Sequence, residues 1–190
     1  MKELLRSLIA VFLYPAAVLA VGLLGRLGAI AWIFSAIVMA YISSWFTSYM
    51  GFRQKGIGAY LPLSAFLFIV LFIFGKMPFI DAMCILIITG ITSEILRARL
   101  GYENKTADHI CSGLMAFCPF GPFLSMWTHR SWYLQNAFYD MGEAYSIELG
   151  HCLNPYTLLT VIACIFAAGF FGSIQAEGVY KKLHIQPVRA

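Results

Sequence analysis

Charged side chains are scarce in this chain of 190 residues, where Asp, Glu, Lys and Arg together make up 12%. A soluble domain carries about twice that share, so the composition excludes an ordinary soluble enzyme or nucleic-acid-binding domain. Hydrophobic residues account for 61% of the chain, and the mean hydropathy is +0.78. A formal net charge of +4 on such a chain favours contact with anionic lipid headgroups. The composition therefore predicts an integral membrane protein.

The sequence also lacks the motifs that carry nucleotide, metal or nucleophilic chemistry. It contains no P-loop, no Gly-rich nucleotide fingerprint, no HExxH pair and no serine or cysteine nucleophile motif. Its cysteines are Cys84, Cys111, Cys118, Cys152 and Cys164, and no partner at metal-ligand spacing accompanies them. We interpret them as small packing residues. We expect no catalytic residue, metal or cofactor, and any ATP hydrolysis would take place in partner subunits.

Long apolar stretches are what the sequence has in abundance. They can be divided into six spans close to the length of about 20 residues that a membrane helix needs, at 8–25, 29–50, 59–75, 79–96, 107–128 and 155–177. An external loop at 129–154 joins the last two spans, and no room remains for a second domain. The predicted fold class is an all-α membrane protein, with six transmembrane helices in one bundle.

The cations fall mostly on one side of this arrangement. Of the 13 Lys and Arg residues, only Arg26, Lys76 and Arg130 lie outside if the N-terminus is cytoplasmic. The cytoplasmic set is Lys2, Arg6, Arg53, Lys55, Arg97, Arg99, Lys105, Lys181, Lys182 and Arg189. Because cytoplasmic loops are enriched in Lys and Arg, both termini are predicted to be cytoplasmic. The start of the chain resembles a signal peptide, but its apolar run continues to about Leu24, which favours a retained first helix.

Two features near the external face predict a cavity or a small-ligand site there. Pro119-Phe120-Gly121-Pro122 must break or bend the fifth span. Such a break is tolerated at membrane depth only where it lines a cavity or is buried in protein. The stretch from Trp127 to Tyr156 then combines aromatic residues with charged and amide groups, the materials of a small-ligand site. An interfacial helix with its aromatics at headgroup level is the alternative for the same residues.

The predicted ligand site uses six residues of this stretch. Trp127, Trp132 and Tyr133 would stack on or enclose a ligand. Arg130, Asn136 and Asn154 would supply hydrogen bonds or charge. A vitamin, a nucleobase-like compound or a small peptide would each suit this mixture.

A membrane enzyme or assembly factor acting on a lipid-linked substrate is the alternative function. His129, Asp140 or His151 would then serve as acid or base at the external face.

Three ionisable residues of the spans have structural interpretations. Glu94 is predicted to pair with Arg97 on one helix face, although a carboxylate within a span is also a functional candidate. Asp81 is predicted to cap the fourth helix, with a ligand role as the alternative. His109 is predicted to be an interfacial histidine.

The order and spacing of several short segments, above all within residues 90–182, resemble the Trep_Strep family of bacterial integral membrane proteins. The matching segments are Gly90–Glu94, Leu100-Gly101-Tyr102, Gly121-Pro122-Phe123, Met126-Trp127, Arg130, Tyr133, Met141–Tyr145, Gly169–Gly172 and Lys181-Lys182. Members of the family are regarded as substrate-binding (S) components of energy-coupling factor transporters.

The resemblance implies a six-helix bundle in the bacterial plasma membrane that captures a small micronutrient at its external face. It also implies docking on a transmembrane T subunit that is driven by two cytoplasmic ATPase subunits. In S components, small residues of the first helix contact the T subunit, and here Ala10 or the pair Ala16 and Ala20 would do so. Contact among helices of the same bundle is the alternative role for such residues.

Overall fold

Helices form the secondary structure throughout the described part of the chain. The computed structural model describes residues 2–54, 56–74 and 80–182, and the side chains of 7–54, 56–73 and 84–182. The helices in this part are α1 Lys2–Gly22, α2 Ala29–Arg53, α3 Leu61–Phe74, α4 Ile80–Leu100, α5 Lys105–Met115, α6 Gly121–Thr128, α7 Arg130–Met141, α8 Glu143–Cys152 and α9 Pro155–Lys182. Short 3-10 helices cover Leu23–Leu27 and Cys118–Phe120. Predictions for the side chains of Lys2, Arg6 and Asp81, and for Lys55, Lys76 and Arg189, lie outside the described residues.

Four helical segments of the described chain are long and apolar enough to cross a bilayer. They are Ser7–Leu27, Ala29–Arg53, Lys105–Thr128 and Pro155–Lys182, and they coincide with the first, second, fifth and sixth predicted spans. The third predicted span contains a shorter apolar helix, Leu61–Ile73. The fourth coincides with α4. The all-α membrane architecture is confirmed, while the count of six spans stays a prediction.

Small residues bring α2, α5 and α9 close together in the middle of the bundle, where each of the three contacts the other two. A Cβ atom at Gly172 of α9 would collide with Ser44 of α2. A Cβ atom at Gly169 would lie 3.0 Å from the Cα atom of Gly113 in α5. Close backbone approach of this kind supplies the van der Waals contact that holds helices together in lipid.

The fifth predicted span is interrupted at its two prolines, as the sequence predicted. The helix α5 ends at Met115, the 3-10 helix Cys118–Phe120 follows, and α6 begins at Gly121. Proline has no backbone N–H and clashes with the preceding turn, so two prolines disfavour a continuous α-helix through this segment. The interruption is packed inside the protein, since Cys118, Pro119 and Phe120 are all buried.

Cationic side chains gather at one end of the bundle, which we call the basic end. It is formed by the last turns of α2, α4 and α9 and the first turn of α5, with Arg53, Arg97, Arg99, Lys105, Lys181 and Lys182. The C-terminus of α1 and the N-termini of α2 and α9 lie at the other end, as helix direction requires.

Arg97 is buried at the basic end, and it pairs with Asp108 instead of with Glu94 as predicted. Its Nε atom lies 2.6 Å from Asp108 Oδ1, and the Arg97 side chain is 0% exposed. Its terminal nitrogens donate to the carbonyl oxygens of Gly51 and Gly56. These bonds join the end of α4 to α5 and to the end of α2. A buried cation needs several such partners to offset its lost hydration.

Glu94 caps the neighbouring helix α3. Its Oε1 atom accepts hydrogen bonds from the backbone N–H groups of Tyr60, at 2.6 Å, and Leu61, at 3.2 Å. The N–H groups at a helix start have no partner within the helix, and a carboxylate beside them is favourable. Tertiary contacts therefore override the spacing that predicted an ion pair between Glu94 and Arg97.

His109 belongs to a second charged cluster at the basic end, centred on Glu177 of α9. The Glu177 carboxylate lies 3.0 Å from His109 Nε2 and 3.8 Å from Lys105 Nζ, and it also contacts Lys181. His109 Nδ1 lies 2.7 Å from Ser173 Oγ. The histidine that was predicted to be interfacial therefore connects α5 to α9.

We expect Arg97→Lys to lower the thermal unfolding midpoint in detergent, because one ammonium group cannot reach the three partners of the guanidinium. Loss of hydrogen bonds to a buried charged group costs about 1.5–3 kcal/mol each. Arg99→Lys is the matched control, since Arg99 is exposed. Both variants keep the positive charge that orients the chain. Equal midpoints for the two variants would contradict the role given to Arg97.

Candidate ligand-binding site

The segment at 129–154, predicted to be an external loop, consists largely of the two short helices α7 and α8, which pack against each other. Gly142 joins them at a φ of 94°, a left-handed conformation that favours glycine. Ser146 donates to the carbonyl oxygen of Leu134 at 2.9 Å. Arg130 donates to the carbonyl oxygen of Gly150 at 2.8 Å. These bonds hold the pair together as one unit.

A cavity of about 800 Å³ lies between this helical pair and the bundle. Its walls come from the end of α1 and the 3-10 helix after it, from α2 and α3, from the interruption after α5 and the start of α6, and from α7 and α8. The aromatic lining residues are Trp32, Phe123, Trp132, Tyr133 and Tyr145. Its volume and aromatic lining are typical of sites for small organic molecules.

The cavity has an apolar floor and a polar mouth. Val18, Met39 and Leu71 line it and are buried, with 2%, 4% and 6% of their surface exposed. Arg26 and Asp140 also line it but are exposed to solvent. Val18 lies about two helical turns before Arg26 along α1 and its extension. A ligand would therefore place its apolar part inward and its polar part at the mouth.

Trp32 at the start of α2 joins the walls of the cavity. Its ring packs so closely over Gly25 that a Cβ atom there would collide with it. The ring also stacks on Phe123 of α6, with the centroids 4.5 Å apart. Its Nε1–H donates to the Tyr133 hydroxyl of α7 at 3.0 Å. One side chain thus contacts the extension of α1, α6 and α7.

Two tyrosines of the lining keep their protons at neutral pH. Burial raises the pKa of Tyr133, although the hydrogen bond from Trp32 acts in the opposite direction. Burial, with a smaller effect of the Glu148 carboxylate, raises the pKa of Tyr145 to about 12. Both side chains are therefore neutral phenols, which donate and accept hydrogen bonds without adding charge to the cavity.

The structure divides the six predicted ligand residues into two groups. Trp132, Tyr133 and Asn136 line the cavity. They lie on one face of α7, as their spacing requires. Trp127 and Arg130 line a neighbouring depression on the surface, and Trp132 borders both the depression and the cavity.

Trp127, Arg130 and Asn154 make bonds that hold the helices in place. Trp127 Nε1–H donates to the carbonyl oxygen of Asn154 at 3.2 Å. Asn154 Oδ1 accepts from the N–H of Thr157 at 2.9 Å, as an N-cap residue of α9 does. Arg130 joins α7 to α8 through Gly150. Their ligand role stays a prediction.

A family model for a hypothetical bacterial integral membrane protein (Trep_Strep) matches residues 1–185. The chain belongs to the Trep_Strep family. The match includes every segment that lines the cavity, from α1 to α8. Comparison of this Trep_Strep protein with curated proteins and with solved structures finds no match.

The lining residues of the Trep_Strep protein that the sequence analysis did not name as ligand residues include Arg26, Trp32, Phe123 and Tyr145. Arg26 was noted only as an external cation, and Phe123 only as part of the family resemblance. Tyr145 was noted among the aromatics of the stretch from Trp127 to Tyr156 and in the resemblance, but not as one of the six ligand residues. Trp32 is separated by 101 positions from Tyr133, its hydrogen-bond partner. No local sequence pattern carries that information.

The residues proposed for acid–base catalysis are not gathered around one site of this Trep_Strep protein. Asp140 lines the cavity, and His129 lines the neighbouring depression. His151, on α8, is among the described lining residues of neither. Within the part of the chain that the structure describes, no group of three or more His, Cys, Asp or Glu residues is placed to hold a metal ion.

We expect Tyr133→Phe to destabilise this Trep_Strep protein by about 1–3 kcal/mol, because the partly buried Trp32 N–H loses its acceptor. Tyr139→Phe is the matched control on the same helix, since Tyr139 is 73% exposed. Thermal unfolding in detergent measures both. A Tyr133→Phe midpoint at or above that of Tyr139→Phe would contradict the role assigned to this hydrogen bond.

Proposed function

We propose that the protein is the substrate-binding S component of an energy-coupling factor importer and captures a small micronutrient in the cavity beneath α7 and α8. The observation that carries this proposal is the cavity itself, about 800 Å³ in volume, with an apolar floor and a polar mouth. Arg26, Asn136 and Asp140 in the lining favour a ligand with polar groups over a purely apolar one such as a lipid tail.

The cavity and the basic end lie at opposite ends of the bundle, which supports external capture. Arg53, Arg97 and Lys105 mark one end, whereas Arg26 and Asp140 stand at the mouth of the cavity near the other. If the basic end is cytoplasmic by the positive-inside rule, the mouth faces outward. Both termini are then cytoplasmic. The six spans are α1, α2, α3, α4, the interrupted helix α5–α6, and α9.

The proposed partners are a transmembrane T subunit and two cytoplasmic ATPase subunits. Of the small residues considered for T-subunit contact, Ala10 is only 8% exposed and already packs inside the bundle. Ala16 and Ala20 are exposed and lie one helical turn apart on the outer face of α1. This exposure favours Ala16 and Ala20 over Ala10 as the contact.

Isolation from the native membrane in mild detergent tests the assignment. We expect the tagged protein to co-purify with a T subunit and two ATPases, and to retain a small molecule that mass spectrometry detects. Recovery of the protein alone, with enzymatic turnover of a lipid-linked substrate, would contradict the proposal.

Trp132→Ala tests the cavity separately from assembly. Since Trp132 lines the cavity, we expect this variant to retain about tenfold less of the bound molecule, the ratio that corresponds to the loss of a contact of about 1.4 kcal/mol. Recovery of the partner subunits should not change. Tyr139→Ala is the control, because Tyr139 is an exposed aromatic of the same helix. Equal retention of the bound molecule by the two variants would contradict the assignment of the cavity as the binding site.

A further inference from the structure

Two residues of opposite charge line the cavity. Arg26 comes from the 3-10 helix after α1, and Asp140 comes from the last turn of α7. Among the described side chains of residues 7–54, 56–73 and 84–182, neither residue forms an ion pair or a side-chain hydrogen bond. They do not pair with each other either, although both border the same space.

The aromatic lining connects the two charged positions. Arg26 follows Gly25, on which the Trp32 ring packs. Trp32 in turn donates to Tyr133 of α7. Asp140 lies on the same face of α7 as Trp132 and Asn136, at the four-residue spacing of a helix face. The cavity therefore offers a cation, an aromatic surface and an anion within one continuous lining.

The geometry points to a small zwitterion with an aromatic group as the ligand class, as in aromatic amino acids and short peptides. Its carboxylate would pair with Arg26 and its ammonium group with Asp140, while its ring would contact Trp132 and Tyr133. This inference rests on the proposed function, because it assumes that the cavity is a capture site.

A zwitterion fits this lining better than a singly charged molecule does. An anion would pair with Arg26 but would be repelled by Asp140. A cation would pair with Asp140 but would be repelled by Arg26. A ligand with both charges pairs with both residues and brings no net charge to the membrane surface. Charge-assisted hydrogen bonds are the stronger kind, so each pairing should contribute measurably to affinity.

Four indole compounds test the class, since they share one ring and differ in charge. Tryptophan carries both charges, tryptamine only the positive one, indole-3-propionate only the negative one, and indole neither. Binding to the full-length protein in detergent is measured by isothermal titration and by thermal stabilisation. We expect tryptophan to bind at least about tenfold more tightly than each of the other three, because each of them lacks at least one of its charged contacts.

Charge-neutralising variants test whether Arg26 and Asp140 cause the preference for tryptophan. Arg26→Gln should remove the preference for tryptophan over tryptamine, and Asp140→Asn should remove the preference over indole-3-propionate. Arg99→Gln and Glu103→Gln are the matched controls, because both residues are exposed in or just after the last turn of α4, away from the cavity. These controls change the net charge equally and should keep both preferences.

The outcomes separate this inference from the proposed function. Equal binding of tryptophan and any singly charged or neutral analogue overturns the ligand class, as does no binding of all four compounds. If the protein then still co-purifies with its T subunit and a retained molecule that lacks paired charges, the S-component assignment stands and only the ligand class fails. If the preference is present but survives in both cavity variants, the assignment to Arg26 and Asp140 is wrong.

Discussion

The position of Trp32 is the constraint on which the cavity depends. Its ring requires glycine at position 25, stacks on Phe123 beside the interrupted fifth span, and donates to Tyr133 of α7. The extension of α1 and the helices α6 and α7 are thereby held around one space. In a bilayer protein, where apolar attraction between helices is weak, such specific contacts set the geometry. The space that they leave open has the volume and lining of a small-molecule site.

The two ends of the bundle differ in how their charged side chains are placed. At the basic end, Arg97 is fully buried and pairs with Asp108, while one carboxylate oxygen of Glu94 caps α3. At the cavity, Arg26 and Asp140 are exposed and border open space. A carboxylate beside the N–H groups of a helix start stabilises that helix. Removal of one partner of a buried ion pair is strongly destabilising, because the other charge is left uncompensated. The pair at the cavity remains available to a ligand, as the proposed capture site requires.

Local patterns in the sequence predicted the features that depend on neighbouring residues. The lengths of the apolar stretches located the four long helices. Pro119 and Pro122 located the interruption of the fifth predicted span. Tertiary features were missed. Spacing suggested that Glu94 pairs with Arg97, but the partner of Arg97 comes from α5. Trp32 received no role, because its contacts with Phe123 and Tyr133 exist only after the helices pack. The segment 129–154 was predicted as a loop because its apolar residues are dispersed.

An experimental structure of the protein purified with its retained small molecule tests the central claim most directly. The account predicts ligand density in the cavity against Trp132 and Tyr133, with its polar groups directed towards Arg26 and Asp140. Density in the depression lined by Trp127 and Arg130, with the cavity beneath α7 empty or closed, would contradict it.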